Sequence, residues 1–137
     1  MLDLTTEYGR HAADRLETTI IGWLATVRPN GAPDVVPVWY LWEDGEILIY
    51  SQPGKRKLRN ISANPQVALV LDDTRGGGDV VRVEGTVRIA SDEAPASENP
   101  AYMAKYAAGI QRIGYTPEQF ANAYSVAVRI TPSRVGR

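Results

Sequence analysis

The sequence predicts a mainly β domain with flanking helices, built as a small six-stranded antiparallel barrel. Three observations carry this. Six short stretches are rich in β-branched and aromatic residues and are parted by turn residues. The helical patterns are few and do not follow every strand, which argues against a parallel sheet. The chain has 137 residues, 44% of them hydrophobic and 23% charged, which suits one core and a single domain over 1–137.

The elements follow in order. Residues 4–19 read as a helix, with Leu4, Ala12 and Leu16 at helical intervals among charges. "TIIGWLATV" (19–27) is a buried strand, and "RPNGAP" (28–33) holds an Asn-Gly hairpin turn. "DVVPVWYLW" (34–42) is a second strand in which Pro37 cannot donate to a ladder, so it lies at an edge or bulge or keeps one side open. "EDG" (43–45) turns the chain into "EILIYS" (46–51). A short basic helix then stops at Pro65, and "QVALVLDD" (66–73) is the fourth strand. "RGGGD" (75–79) leads into "VVRVEGTVRIA" (80–90). Residues 92–123 read as two helical pieces broken near Gly114 and Pro117, with Thr116 as the cap of the second. "YSVAVRITPSRV" (124–135) is the last strand.

Composition excludes several classes. The formal net charge of −1 offers no basic bias for nucleic acid. No apolar run is long enough for a membrane span. With no cysteine there are no disulfides, Fe–S clusters or thiol nucleophiles, and the single histidine, His11, argues against a metal site. The polar start "MLDLTTEYGRHAADRLE" lacks the apolar core of a signal peptide, so the cytoplasm is the expected location.

One stretch breaks a local rule. "SQPGKRKLRN" (51–60) places Lys55, Arg56 and Lys57 on the first turn of the basic helix. That end already carries about half a positive charge, so each added cation is unfavourable by a few tenths to about 1 kcal/mol. The local cost makes sense with an anion present: free N–H groups, lysine and arginine together make a phosphate cradle. Ser51 adds a hydroxyl at the end of the preceding strand. Upstream, "VVPVWYLW" offers apolar and aromatic side chains, and Pro37 leaves neighbouring backbone groups free to meet a flat heterocycle. A phosphate cradle beside such a strand is the way a flavin-like cofactor is held. A barrel this small is filled by its own side chains, so the ligand lies on its outer wall and a second copy covers it.

The segment "VVPVWYLWEDGEILIYSQPGKRKLRNISANPQVALVL" resembles the flavin-binding segment of the pyridoxamine 5′-phosphate oxidase-like split β-barrels. The resemblance is good over 19–90 and looser in the last strand. It implies a six-stranded antiparallel split β-barrel and a homodimer with the cofactor site at the interface. By position it assigns the ring-binding strand to Val35, Val36, Pro37, Val38 and Trp39, continuing to Tyr40. It matches Tyr50 and Ser51 to the aromatic–hydroxyl pair and Arg56 and Lys57 to the phosphate-binding cations, with Lys55 as an extra cation.

The vitamin B6 oxidases carry cations where this chain has Val35 and Tyr40, and their C-terminal substrate segment is absent from "ITPSRVGR"; both argue against pyridoxamine phosphate oxidation. The short chain, the Lys55-Arg56-Lys57 cluster and "VRITPSRV" are more similar to actinobacterial members that use the deazaflavin coenzyme F420. That likeness implies an F420-dependent reductase passing hydride to conjugated, electron-poor small molecules. The alternatives are an FMN-dependent oxidoreductase and a non-catalytic flavin or F420 carrier. The catalytic residues are not identified. His11 reads as an ordinary surface residue, Trp42, Tyr102, Tyr106 and Tyr115 as packing, and Arg129 and Arg134 as candidates to reach a partner's site.

Overall fold

The computed structural model describes residues 2–73 and 75–137. Its elements are α1 (Glu7–Thr18), β1 (Ile21–Val27), β2 (Pro33–Trp39), β3 (Leu41–Glu43), β4 (Glu46–Ser51), α2 (Arg56–Ala63), β5 (Gln66–Leu71), β6 (Arg82–Ile89), α3 (Pro100–Arg112), α4 (Pro117–Ala123) and β7 (Val126–Gly136). A 3-10 turn over Ala96–Glu98 precedes α3.

All seven strands form one antiparallel sheet in the order β2-β1-β5-β6-β7-β4-β3. The expected count was six. The stretch 34–42 is two strands, because Tyr40 interrupts it between Trp39 and Leu41. β2 and β3 lie at opposite edges of the sheet, yet a single residue joins them. Consecutive Cα atoms are only about 3.8 Å apart, so the sheet must curl until its two edges meet. The result is a barrel split at Tyr40, closed in shape but unladdered there.

Local signals account for most element ends. Thr6 caps α1 by accepting from the Gly9 N–H at 2.9 Å, so the helix begins at Glu7 and not at residue 4. Asp44 and Gly45 have φ of 55° and 72° between β3 and β4, the pair of positive values that a two-residue hairpin turn requires. α4 opens on Thr116 and Pro117, with Thr116 and Gln119 forming a reciprocal capping box. Residues 92–95, expected to be helical, are irregular, and regular α-helix starts only at Pro100 behind the Asn99 cap. The fourth strand ends at Leu71.

Two apolar clusters result. Leu24, Tyr40, Ile49, Leu69, Val83 and Ile130 fill the barrel, and Ala12 and Leu16 of α1 plug one end; Trp42 packs against this cluster. On the outside, α3 and α4 lay Tyr102, Tyr106, Ile110 and Phe120 against Leu48, Tyr50 and Ala127 of the sheet. Each fully buried apolar side chain of this size contributes about 1.5–3 kcal/mol. The outer cluster sits beside the open edge of β2, and that is where the site forms. No helix among the described residues is long and apolar enough to cross a membrane.

Candidate cofactor site

β2 pairs only with β1, in the register Trp23↔Pro37 and Thr26↔Asp34. Among the described residues its other edge meets no strand, which fulfils the edge placement expected from Pro37. Alternation turns Val35, Pro37 and Trp39 away from the barrel and Val36 and Val38 toward it. Trp39 lies flat on Tyr106, with centroids 4.8 Å apart and planes 12° apart, and leans on Phe120 at 5.7 Å. Phe120 in turn stacks on Tyr124 at 4.4 Å.

Between the end of β2, β4, α2 and the outer helices lies a cavity of about 230 Å³. Pro37, Val38, Trp39, Tyr50 and Lys57 line it, so half of the ten residues assigned from sequence converge there. Ile21, Tyr102, Ile113, Phe120 and Tyr124 complete the wall; of these the sequence reading weighed only Tyr102, and as packing. Tyr102 does pack, and its hydroxyl is buried without a hydrogen-bond partner among the described residues. Tyr106 and Tyr115 stay out of the wall, as the packing reading of those residues requires.

Among the described residues Lys57 is the one charged side chain in the wall of this cavity. Burial pushes its ammonium below the ordinary lysine value, and the neighbouring Lys55 adds to that. A half-buried cation beside a like charge gains most from an anion. α2 reinforces it, since Lys55 occupies the cap without a side-chain hydrogen bond and no acidic residue stands in the first turn. Among the described residues neither lysine ammonium has a hydrogen-bond partner, whereas Arg59 donates to the Gly54 carbonyl at 2.8 Å.

Arg56 is placed differently from the simple cradle. Its Nε donates to Asp34 Oδ2 at 2.6 Å, so this cation has a carboxylate partner on β2. Ser51 is buried, its hydroxyl turned to the Gln52 carbonyl at 2.8 Å. Val35 is 58% exposed on the outer face, and Val36 packs on the barrel core, so neither side chain reaches the cavity.

A larger groove of about 650 Å³ adjoins the cavity and shares Tyr50 and Tyr124 with it. Tyr50 donates its hydroxyl to the Ala94 carbonyl at 2.8 Å on the groove side, and burial raises its pKa. Arg129 does not face outward: it is 9% exposed and bonds Glu93 at 2.6 Å and Glu43 at 2.8 Å. Arg134 remains exposed on β7. His11 lies in neither cavity wall and meets Asp79 at 2.7 Å.

A curled antiparallel sheet whose open edge strand borders an aromatic cavity defines a split β-barrel protein. Over residues 9–136 the sequence matches the family described as pyridoxamine 5′-phosphate oxidase, and the chain belongs to that family. Among solved structures, an F420 reductase is 28% identical with a TM-score of 0.66, over 90% of this chain and 94% of that one. A FAD-binding protein from Mesorhizobium loti is 23% identical with a TM-score of 0.67, over 92% of this chain and 88% of that one. A heme storage protein from Vibrio cholerae is 16% identical with a TM-score of 0.64, over 94% and 92% of the two chains. The last two likenesses concern the fold alone. No curated protein matches the chain.

Proposed function

We propose that this protein is a reductase that uses reduced coenzyme F420 to deliver hydride to conjugated, electron-poor small molecules. The observation that carries the reading is Lys57, a half-buried ammonium in the wall of a flat-sided aromatic cavity beside the uncapped, cationic start of α2. Lys57, Lys55 and the helix N–H groups hold the cofactor's phosphate, and Trp39 and Pro37 face its ring. Lys55 and the exposed part of Arg56 supply positive charge for the acidic tail that distinguishes F420 from FMN. The 28% identity to an F420 reductase supports this choice over FMN.

When bound, the cofactor supplies the hydride. The chain orients it and keeps water away through Trp39, Phe120 and Tyr124, which is catalysis by positioning in a dry site. The adjoining groove receives the acceptor. Its Glu98 and Glu118 favour neutral or cationic acceptors over carboxylates.

At about 230 Å³ the cavity is smaller than the roughly 300–1,000 Å³ of a pocket that encloses its ligand. The outer half of the ring therefore needs a cover. Trp23, Val35 and Val70 expose an apolar strip across β2, β1 and β5, which supports a homodimer that completes the site. Trp23→Arg should then yield a monomer in sedimentation and lose cofactor; a wild-type monomer that binds cofactor tightly would remove this part.

Among the described residues no carboxylate, histidine or serine lines the cavity, and that also fits a flavin or F420 carrier without turnover. The experiment is to titrate the protein with F420 and with FMN by absorbance. Oxidation of each reduced cofactor is then followed with enone and quinone acceptors. F420 binding with acceptor-dependent oxidation supports the reductase. Tighter FMN binding, or binding without oxidation, replaces it with the oxidoreductase or the carrier.

A further inference from the structure

Asp34, on β2 just before the cavity-lining residues, gathers three donor residues, two from α2 and one from the turn after β1. Arg56 of α2 donates through Nε at 2.6 Å and Nη2 at 3.3 Å, one to each carboxylate oxygen. Asn60 of α2 donates to the carboxylate at 3.3 Å, and Arg28, just past β1, approaches it at 3.5 Å. Behind them, Asn60 is 1% exposed and donates to Thr26 Oγ1 at 2.9 Å, with Thr26 3% exposed and opposite Asp34 in the sheet. The carboxylate is thus fixed from below by a buried amide and grips the arginine above.

This grip leaves Arg56 with Nη1 among its ungripped donors, on a side chain 55% exposed. A free arginine on a helix surface samples many rotamers and loses that freedom on binding an anion. We propose that Asp34 is a positioning residue: it holds the Arg56 guanidinium edge-on so that its remaining donors face the phosphate at the start of α2. The inference rests on the phosphate-cradle reading. The competing account is that Asp34 simply neutralises Arg56 and holds it away from a ligand. The two differ in sign. Pre-arrangement of a charged fork lowers the cost of binding, while an inhibitory carboxylate raises it. The Asp34 charge is already shared among Arg56, Arg28 and Asn60, which reduces its repulsion of a bound phosphate and leaves positioning as the larger effect.

The test measures calorimetric affinities for F420 and FMN, each against its phosphate-free ribityl form. The proteins are wild type, Asp34→Asn, Arg56→Ala and the double variant, with thermal unfolding recorded for each. Asp34→Asn is expected to lose about tenfold in affinity for the phosphorylated forms and none for the phosphate-free forms. Adding it to Arg56→Ala should cost nothing more, because Asp34 acts through Arg56. Unchanged or tighter binding of the phosphorylated forms by Asp34→Asn overturns the inference. Equal losses for both forms show a merely structural carboxylate and overturn it as well. Wild-type protein that binds phosphate-free and phosphorylated cofactor alike overturns the cradle itself, a result read without any variant.

Discussion

The hydroxyl of Tyr106 accepts a 2.9 Å hydrogen bond from the backbone N–H of Tyr40 and lies 2.6 Å from the Ile20 carbonyl oxygen, its acceptor. Lys105 Nζ donates to the Tyr40 carbonyl at 3.1 Å while sitting 4.0 Å over the Tyr40 ring. Burial lowers the Lys105 pKa to about 8. Tyr40 is the residue where the barrel splits, so its backbone lacks strand partners and α3 supplies them.

Tyr106→Phe keeps the packing but leaves the Tyr40 N–H buried and unpaired. The expected loss of stability is about 1–3 kcal/mol in urea titration. Tyr102→Phe is the matching control, since it removes a buried hydroxyl that has no partner; it should be neutral or stabilising. A neutral Tyr106→Phe would show that the junction does not depend on this hydroxyl.

Lys57→Ala should weaken cofactor binding by the value of a charge-assisted contact, roughly 1.5–3 kcal/mol or about ten- to a hundredfold. The protein without cofactor should be no less stable, because a partly desolvated cation leaves the positive end of a helix. Calorimetry and thermal unfolding on the same variant give both values. Unchanged affinity refutes the cradle whatever the melting temperature does.

Gly85 sits at the irregularity between β6 and β7, where the register shifts after Glu84. A Cβ there would lie 2.3 Å from the Thr131 carbonyl oxygen, which is backbone and cannot swing aside. Gly85→Ala should therefore destabilise by about 1–3 kcal/mol, the range for forced overpacking, with cofactor selectivity intact in whatever protein remains folded. Wild-type stability in urea would mean that the strands part there without strain.

Asp79 holds the loop after β5 against α1, bonding His11 and Arg15 at 2.7 Å each. The His11 hydrogen bond first, and Arg15 with it, hold its carboxyl below the ordinary value against some desolvation. For a carboxylate with a depressed folded pKa, the stabilisation is complete above the unfolded value of about 3.9 and disappears as pH falls through the lower folded value. Asp34 works in the same direction through Arg56. Asp79→Asn should be less stable than wild type at pH 6–7, and the two should converge near pH 2–3. Parallel melting curves across that range would contradict the assignment.

Much of this molecule follows from short-range chemistry. Residues 46–51 and 66–71 are strands because β-branched and aliphatic residues run between turn signals. The Thr116-Pro117 start of α4 and the Pro37 edge strand are decided by one cap and one missing N–H. The cationic start of α2 was legible for the same reason, since its four basic residues are neighbours in sequence. Half of the assigned cofactor residues reach the cavity because they share one strand end or that one helix turn.

Other features needed long-range placement. No local signal marks Tyr40 as a break: residues 38–42 are all strand formers, and only the curl of the sheet and the Tyr106 hydroxyl separate β2 from β3. Phe120, Tyr124 and Ile113 enter the cavity from helices far along the chain. Asp34 merely opens the second strand in the sequence, but the β1–β2 register and the docking of α2 bring Arg28, Arg56 and Asn60 onto it. The sequence by itself determined the strands, their turns and the local excess of positive charge, because propensity, capping and charge act between near neighbours. Tertiary structure alone decided where the barrel opens, which rings wall the cavity and which carboxylate orients the arginine, because those contacts join residues that only packing brings together.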